Sequence, residues 1–400
     1  MTLPTPYRNI LRWQSGWVAM LAAIALAWIG LEAIATAETS FAHRQGAWFL
    51  AGTPILLACI LVPVERIGRA SFLLHAVVII LLVVLLLPGV PRWIVPVRNG
   101  ARSWIDLGAF SIQPTELAKI TTVLALAWTL RYRDEHRQWR GLMVPCLLVA
   151  LPVALILLQP DLGSAIVFVP TLLAVLIAAG ARLRHLGTLV GLALAAVLVN
   201  VAIVLVLPES FQVLKEHQRS RITALVSRAN ADTRFDQSTN YQQVQAMTVA
   251  GSGGWRGYGR QRSAVVVRHN RLPLDYNDMI FAVVMNRWGL VGAMGVLALL
   301  LAMVLSMLRV ASCSKDPFSR LVAVGFATLI FSQASINIAI SLGLLPVTGI
   351  TLPLISYGGS SLISTFVMIG LVIRIGASRP RMLAWPSFEY DRTGVPAKGP

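Results

Sequence analysis

Long apolar runs separated by short polar connections dominate the chain. They fall near 14–35, 47–63, 72–88, 116–131, 142–158, 162–180, 186–207, 278–308, 319–341 and 352–373. Most are long enough to cross a bilayer as helices. The pattern predicts an all-α polytopic membrane bundle of about ten transmembrane helices. One long polar segment, 208–277, interrupts it as a large extracytoplasmic loop. The remainder reads as a single transmembrane domain over 1–379, followed by a cytoplasmic tail over 380–400.

Short-loop charge sets the orientation. Arg8 and Arg12, Arg66 and Arg69, the Arg131–Arg140 cluster, Arg182 and Arg184, Arg309–Arg320 and Arg374–Arg381 occupy every second connection. The positive-inside rule then predicts that both termini are cytoplasmic, with 89–115, 208–277 and the short 342–351 turn on the opposite face. Ala33-Ile34-Ala35 resembles a leader cleavage site. The run before it is long for a leader and more spans follow, so an uncleaved first span is expected.

Composition agrees. Hydrophobic residues make up 56% of the 400 residues, charged residues 13%, and mean hydropathy is +0.71. The net charge of +17 would suggest nucleic acid in a soluble protein, but much of it caps apolar runs. The three cysteines and six histidines show no metal-ligand spacing. The 208–277 loop carries ten basic residues, from Lys215 to Arg271, against five acids. It can lie beside anionic headgroups or bind a phosphorylated lipid, since arginine forks match phosphate. Its Pro, Gly and Asn interruptions predict short amphipathic pieces.

Asp278 is the sharpest single signal. It ends the polar loop in Leu272-Pro273-Leu274-Asp275-Tyr276-Asn277-Asp278 and opens an apolar run. A carboxylate at the mouth of a span is costly and marks function. Four further groups accompany it. Asn99 to Gly108, with Arg102, leads into Gln113-Pro114-Thr115-Glu116-Leu117-Ala118-Lys119. There Thr115 could cap a helix, and Glu116 and Lys119 share a face. They form a local ion pair, or Lys119 points into a cavity toward an anion. Asp161, in Gln159-Pro160-Asp161-Leu162-Gly163, suits a helix cap. Tyr241 to Gln245 precedes Gly251-Ser252-Gly253-Gly254, whose glycines could wrap pyrophosphate. Gly343 to Pro353 and Ser356-Tyr357-Gly358-Gly359 predict broken helix lining a cavity or buried in protein.

Together these strings resemble the SEDS family (shape, elongation, division and sporulation proteins, the RodA and FtsW group). The likeness runs from Asn99 to Ser361. It implies a peptidoglycan glycosyltransferase (a hexosyltransferase) that polymerises lipid II on the outer face of the bacterial inner membrane, for elongation or division. Gly251 to Gly254 leans toward the elongation type. A class B penicillin-binding protein is the implied partner, and undecaprenyl pyrophosphate-linked glycan the implied second substrate. The resemblance makes Asp278 the catalytic residue and sets Lys119 and Asp161 along a central cavity. Glu116, Arg102, Arg219, Arg221, Gln245, Ser356, Gly358 and Gly359 are the further expected substrate-binding residues. A divalent cation, Mg²⁺ or Mn²⁺, is expected at Asp278. The chain departs from the family at Leu274, at Tyr276-Asn277 and at Asn286-Arg287, where the family carries a pair of acids. A lipid-linked-sugar flippase and a non-catalytic scaffold of a cell-wall synthase remain open on the residues alone.

Overall fold

The computed structural model describes residues 14–97, 101–108, 110–132, 138–188, 241–270 and 277–378, with isolated positions 190, 191, 195, 199 and 272. Helices α1 (Ser15–Ala37), α2 (Thr39–Leu61) and α3 (Val64–Leu86) lead into a two-residue hairpin, β1 (Ile105–Asp106) with β2 (Ser111–Ile112). Then come α4 (Pro114–Leu130), α5 (Trp139–Leu158), α6 (Leu162–Ile166) and α7 (Phe168–Ala179). The described part of the long loop forms α8 (Tyr241–Ser252) and α9 (Gly259–His269). The chain ends in α10 (Ile280–Cys313), α11 (Pro317–Ser341) and α12 (Gly359–Ala377).

Eight spans among the described residues are long and apolar enough to cross a membrane, α6 and α7 together making one of them. The chain is a multi-pass membrane protein. Leu57, Leu61, Leu73, Ile80, Leu147 and Leu158 stand exposed on α2, α3 and α5. In water such faces would aggregate; in lipid they are solvated. Helix α4, 17 residues long, is the expected 116–131 element. It is buried almost throughout because α3, α5, α11 and α12 surround it.

One expectation changes in detail, while the window 186–207 falls largely outside the described residues. The window 352–373 becomes helical only at Gly359, and 342–358 is irregular. Its second half is buried: Ile350, Leu352, Leu354, Ile355 and Ser356 are all at most 4% exposed, whereas Leu344 is 70% exposed. Gly343 (φ 80°) and Gly349 (φ 77°) supply left-handed backbone that side chains disfavour.

Small residues draw the helices together. Ala19, Ala22, Ala23, Leu26, Gly30, Ala33 and Ala37 recur three or four apart along α1 and are buried. This stripe lets α1 lie along α10, its principal neighbour. At Gly30 a Cβ would come within 2.6 Å of the Ile355 backbone, so only glycine admits the irregular segment there.

Candidate functional site

The site forms where α10 begins. Asp278 lies in a turn two residues before the helix and is 6% exposed. Its backbone carbonyl accepts from Asn337 Nδ2 at 2.9 Å, and the same nitrogen reaches the Ile350 carbonyl at 2.6 Å. Ser356 Oγ donates to the Asn277 carbonyl at 2.7 Å and accepts from Leu352 N–H at 2.7 Å. The catalytic candidate is therefore tied at the backbone to the irregular segment. Its carboxylate has no hydrogen-bond partner among the described residues. A Cβ on Gly349 would lie 3.9 Å from Asp278 Oδ2, so bare backbone borders it. Burial first, and the neighbouring Asp161 second, raise its pKa from 3.8 to about 7.

Asp161 caps α6 as expected: Oδ1 accepts Ser164 N–H at 3.0 Å and Oδ2 accepts Ser164 Oγ at 2.7 Å. Burial raises its pKa most, while the two Ser164 bonds and Lys119 pull it down and Glu116 pushes it up. Asp278, Asp161, Lys119 and Glu116 thus form one electrostatic cluster.

Lys119 is 3% exposed, and its ammonium is taken up by two side chains. Its Nζ lies 2.7 Å from Glu116 Oε1 and 2.7 Å from Gln333 Oε1. Glu116 Oε2 accepts from Ser364 Oγ at 2.8 Å. The local ion pair expected at this spacing is present, and it is also the centre of a network joining α4, α11 and α12. Thr115 does not cap α4. Pro114 occupies the first helical position, Gln113 precedes it, and Thr115 Oγ1 is buried without a partner.

Arg102 serves its own loop. Its two terminal nitrogens donate to the Leu87 and Val90 carbonyls at 3.0 and 2.9 Å. Gln245 is half-buried on α8; of the expected Tyr241 to Gln245 string, Gln243 is the buried glutamine. Gln243 donates to the Ile340 and Leu345 carbonyls at 2.9 and 2.5 Å, holding the start of the irregular segment. Gln45, which the sequence did not single out, grips the other end: Nε2 donates to the Ser356 carbonyl at 3.3 Å, and Oε1 accepts Gly358 N–H at 3.1 Å. Polar residues isolated in apolar helices were the available signal. Gly359 has a packing role, since a Cβ would strike the Trp48 indole. Arg219 and Arg221 lie outside the described residues.

The glycine-rich turn is not free to wrap phosphate. Helix α10 kinks at Gly289 (φ 68°, ψ −165°), which releases backbone groups. The turn satisfies them: Leu290 N–H donates to Gly254 O at 2.9 Å, Val291 N–H to Trp255 O at 3.2 Å, and Tyr258 N–H to Asn286 O at 2.9 Å. A Cβ on Gly253 or Gly257 would collide with the backbone at Met285 or Arg287. Gly253 and Gly257 are there for close backbone approach, and Gly254 (φ 55°) supplies left-handed backbone. The unusual Asn286 and Arg287 are also absorbed. Asn286 Nδ2 donates to Val249 O at 2.9 Å and Ser252 Oγ at 2.8 Å. Arg287 bonds Glu32 Oε2 at 2.5 Å, Thr36 Oγ1 at 2.7 Å and the Glu32 carbonyl. The cation finds its acid on α1.

No three His, Cys, Asp or Glu side chains among the described residues converge on a metal position. Asp161 and Glu116 use their oxygens on Ser164, Lys119 and Ser364. Asp278 alone of this cluster keeps its oxygens free among the described residues. One carboxylate fits a Mg²⁺-type ion whose other ligands are water and substrate phosphate.

The family model for cell cycle proteins of the FtsW, RodA and SpoVE type matches residues 11–380. A probable peptidoglycan glycosyltransferase FtsW of Geobacter metallireducens is 33% identical over 370 residues, covering 90% of this chain and 93% of that one. The Hahella chejuensis protein of the same name is 31% identical over 372 residues, covering 89% and 88%. Among solved structures, one chain of a peptidoglycan synthase complex that coordinates polymerization and crosslinking superposes with TM-score 0.74 at 30% identity, over 91% of this chain and 98% of that one. The rod shape determining protein RodA of Thermus thermophilus gives 0.65 at 29% identity, over 91% and 97%.

Proposed function

The chain belongs to the FtsW, RodA and SpoVE family of cell cycle proteins, and on that footing we propose that it polymerises lipid II into glycan strands with Asp278 as general base. The activity is peptidoglycan glycosyl transfer. The observation that carries the role of Asp278 is its state: a buried carboxylate, free of hydrogen bonds among the described residues, with its pKa raised to about 7. A base is most useful when its pKa lies near the working pH.

The acceptor is a lipid-linked disaccharide with a free 4-hydroxyl on its N-acetylglucosamine. Asp278 takes that proton as the oxygen attacks the anomeric carbon of the growing strand's N-acetylmuramic acid, with inversion. The bond to undecaprenyl pyrophosphate breaks, and the leaving group carries off the electron pair. Its charge calls for cations. Lys119 is largely neutralised by Glu116, and Arg102 is engaged in its loop. Arg219 and Arg221 are therefore the side chains proposed for this role. A Mg²⁺ or Mn²⁺ close to Asp278 would screen pyrophosphate charge through phosphate and water ligands, leaving the carboxylate to act as base.

The polymer would serve elongation or division. A class B penicillin-binding protein is the proposed partner, supported by the likeness to a synthase complex that couples polymerization to crosslinking. The proposed setting is the bacterial inner membrane, with termini cytoplasmic and Asp278 outside, supported by the basic short loops.

The test is chain formation from lipid II by the purified protein with its partner and divalent cation. Wild type should make strands, and Asp278→Asn should make none. An intact wild-type complex that makes no strands would sink the reading and return weight to the flippase or scaffold. Chelation should lower the yield while the complex stays intact; full activity in chelator would remove the cation from the proposal.

A further inference from the structure

Helix α11 carries two buried amides one turn apart, Gln333 and Asn337. Both ends of the Gln333 amide are used. Its Oε1 receives Lys119 Nζ, and its Nε2 donates to the Thr351 carbonyl at 3.1 Å. Asn337 is more unusual. It is 0% exposed, and its Nδ2 serves two carbonyls while its Oδ1 has no partner. A flipped amide would set oxygen against both carbonyls, so the orientation is forced. Leaving one acceptor unmade is costly, and the arrangement suits a residue kept for its two donors.

Those two carbonyls belong to places that nothing else in a helix would hold. Ala282 N–H donates to Met279 O rather than to Asp278 O, leaving the Asp278 carbonyl without a helical partner. Ile350 lies in the irregular stretch just after left-handed Gly349, the residue bordering the Asp278 carboxylate. One amide thus pins the backbone of the base and the backbone of the wall beside it.

We propose that Asn337 is the positioning residue for Asp278: its paired hydrogen bonds to the Asp278 and Ile350 carbonyls fix the carboxylate against the 342–358 segment in the orientation proton transfer needs. This rests on the reading of Asp278 as general base. It predicts that damage at Asn337 reaches the chemistry without touching substrate. A misplacement of about 1 Å can cost roughly 10²-fold in rate.

The experiment compares wild type, Asn337→Ser and Asn337→Asp in the full complex. Serine keeps one donor; aspartate sets a carboxylate against two carbonyls. Strand synthesis gives kcat and KM. Asn337→Ser should lower kcat roughly 10- to 10²-fold with KM nearly unchanged, and Asn337→Asp should lower kcat further. An unchanged kcat in a monodisperse complex, even with a lower unfolding temperature, would make Asn337 mere packing and overturn the proposal. If Asn337→Asp does not fold, Asn337→Ser decides. Wild type that makes no strands overturns the glycosyltransferase reading and with it the role given to Asn337; wild-type strands with an unchanged Asn337→Ser overturn only the latter.

Discussion

Asp278 should make this protein less stable as it becomes competent, and the effect can be measured. Its pKa of about 7, against an ordinary 3.8, means that the folded protein holds the proton more tightly than the unfolded chain does. For a group raised on folding, stability is fully present below the unfolded value and is lost as pH rises through the folded one. The separation corresponds to roughly 4 kcal/mol, at 1.36 kcal/mol per pH unit. Asp278→Asn removes the titration. Its own amide needs partners, but that cost does not depend on pH. Asp161, Glu116 and Lys119 remain in both proteins and largely cancel. The unfolding midpoint of the variant relative to wild type, followed by intrinsic fluorescence in detergent, should therefore climb between about pH 4 and pH 7 and level off above. Wild-type polymerisation should rise around the upper end of that interval, because the base must be ionised to accept a proton. A stability difference that is flat with pH, or that falls, would refute the account of Asp278 as a buried, desolvated carboxylate.

Lys119→Met should cost about 3–5 kcal/mol by stranding Glu116 in a buried network, and Lys119→Met/Glu116→Gln should recover most of it; thermal unfolding of the two variants checks this. Arg287→Ala should cost about 2–3 kcal/mol, less than a fully buried pair because Glu32 is partly exposed. The exchange Glu32→Arg/Arg287→Glu should restore part of the unfolding midpoint lost by either single change. Gly257→Ala should destabilise severely, since its Cβ would strike the Arg287 carbonyl at φ 72°. Gly254→Ala, with open space and φ 55°, should cost about 1 kcal/mol of left-handed strain. Similar losses for both glycines would mean that the turn does not pack on the α10 kink.

Much of the architecture could be read from periodicity and charge. Apolar run lengths set the spans, because backbone in lipid must satisfy itself and helices do so locally. The Pro and Gly cluster from Gly343 to Pro353 announced broken helix for the same reason. Asp278 was visible because an acid at a span's edge is expensive, and the capping role of Asp161 and the spacing of Glu116 and Lys119 are local rules. Tertiary structure alone decided what those side chains meet. Gln45, Gln243, Gln333 and Asn337 sit on three different helices, and their targets lie in another part of the chain, so no sequence spacing reveals them. The glycine-rich turn looked like a phosphate loop until the kink at Gly289 supplied its partner. Arg287 looked like a lost acid until Glu32, 255 positions away, stood opposite it. Local chemistry determined which elements form; the close approach of distant helices determined which side chains pair, and which member of the cluster with Asp161, Lys119 and Glu116, namely Asp278, keeps a carboxylate without a partner among the described residues.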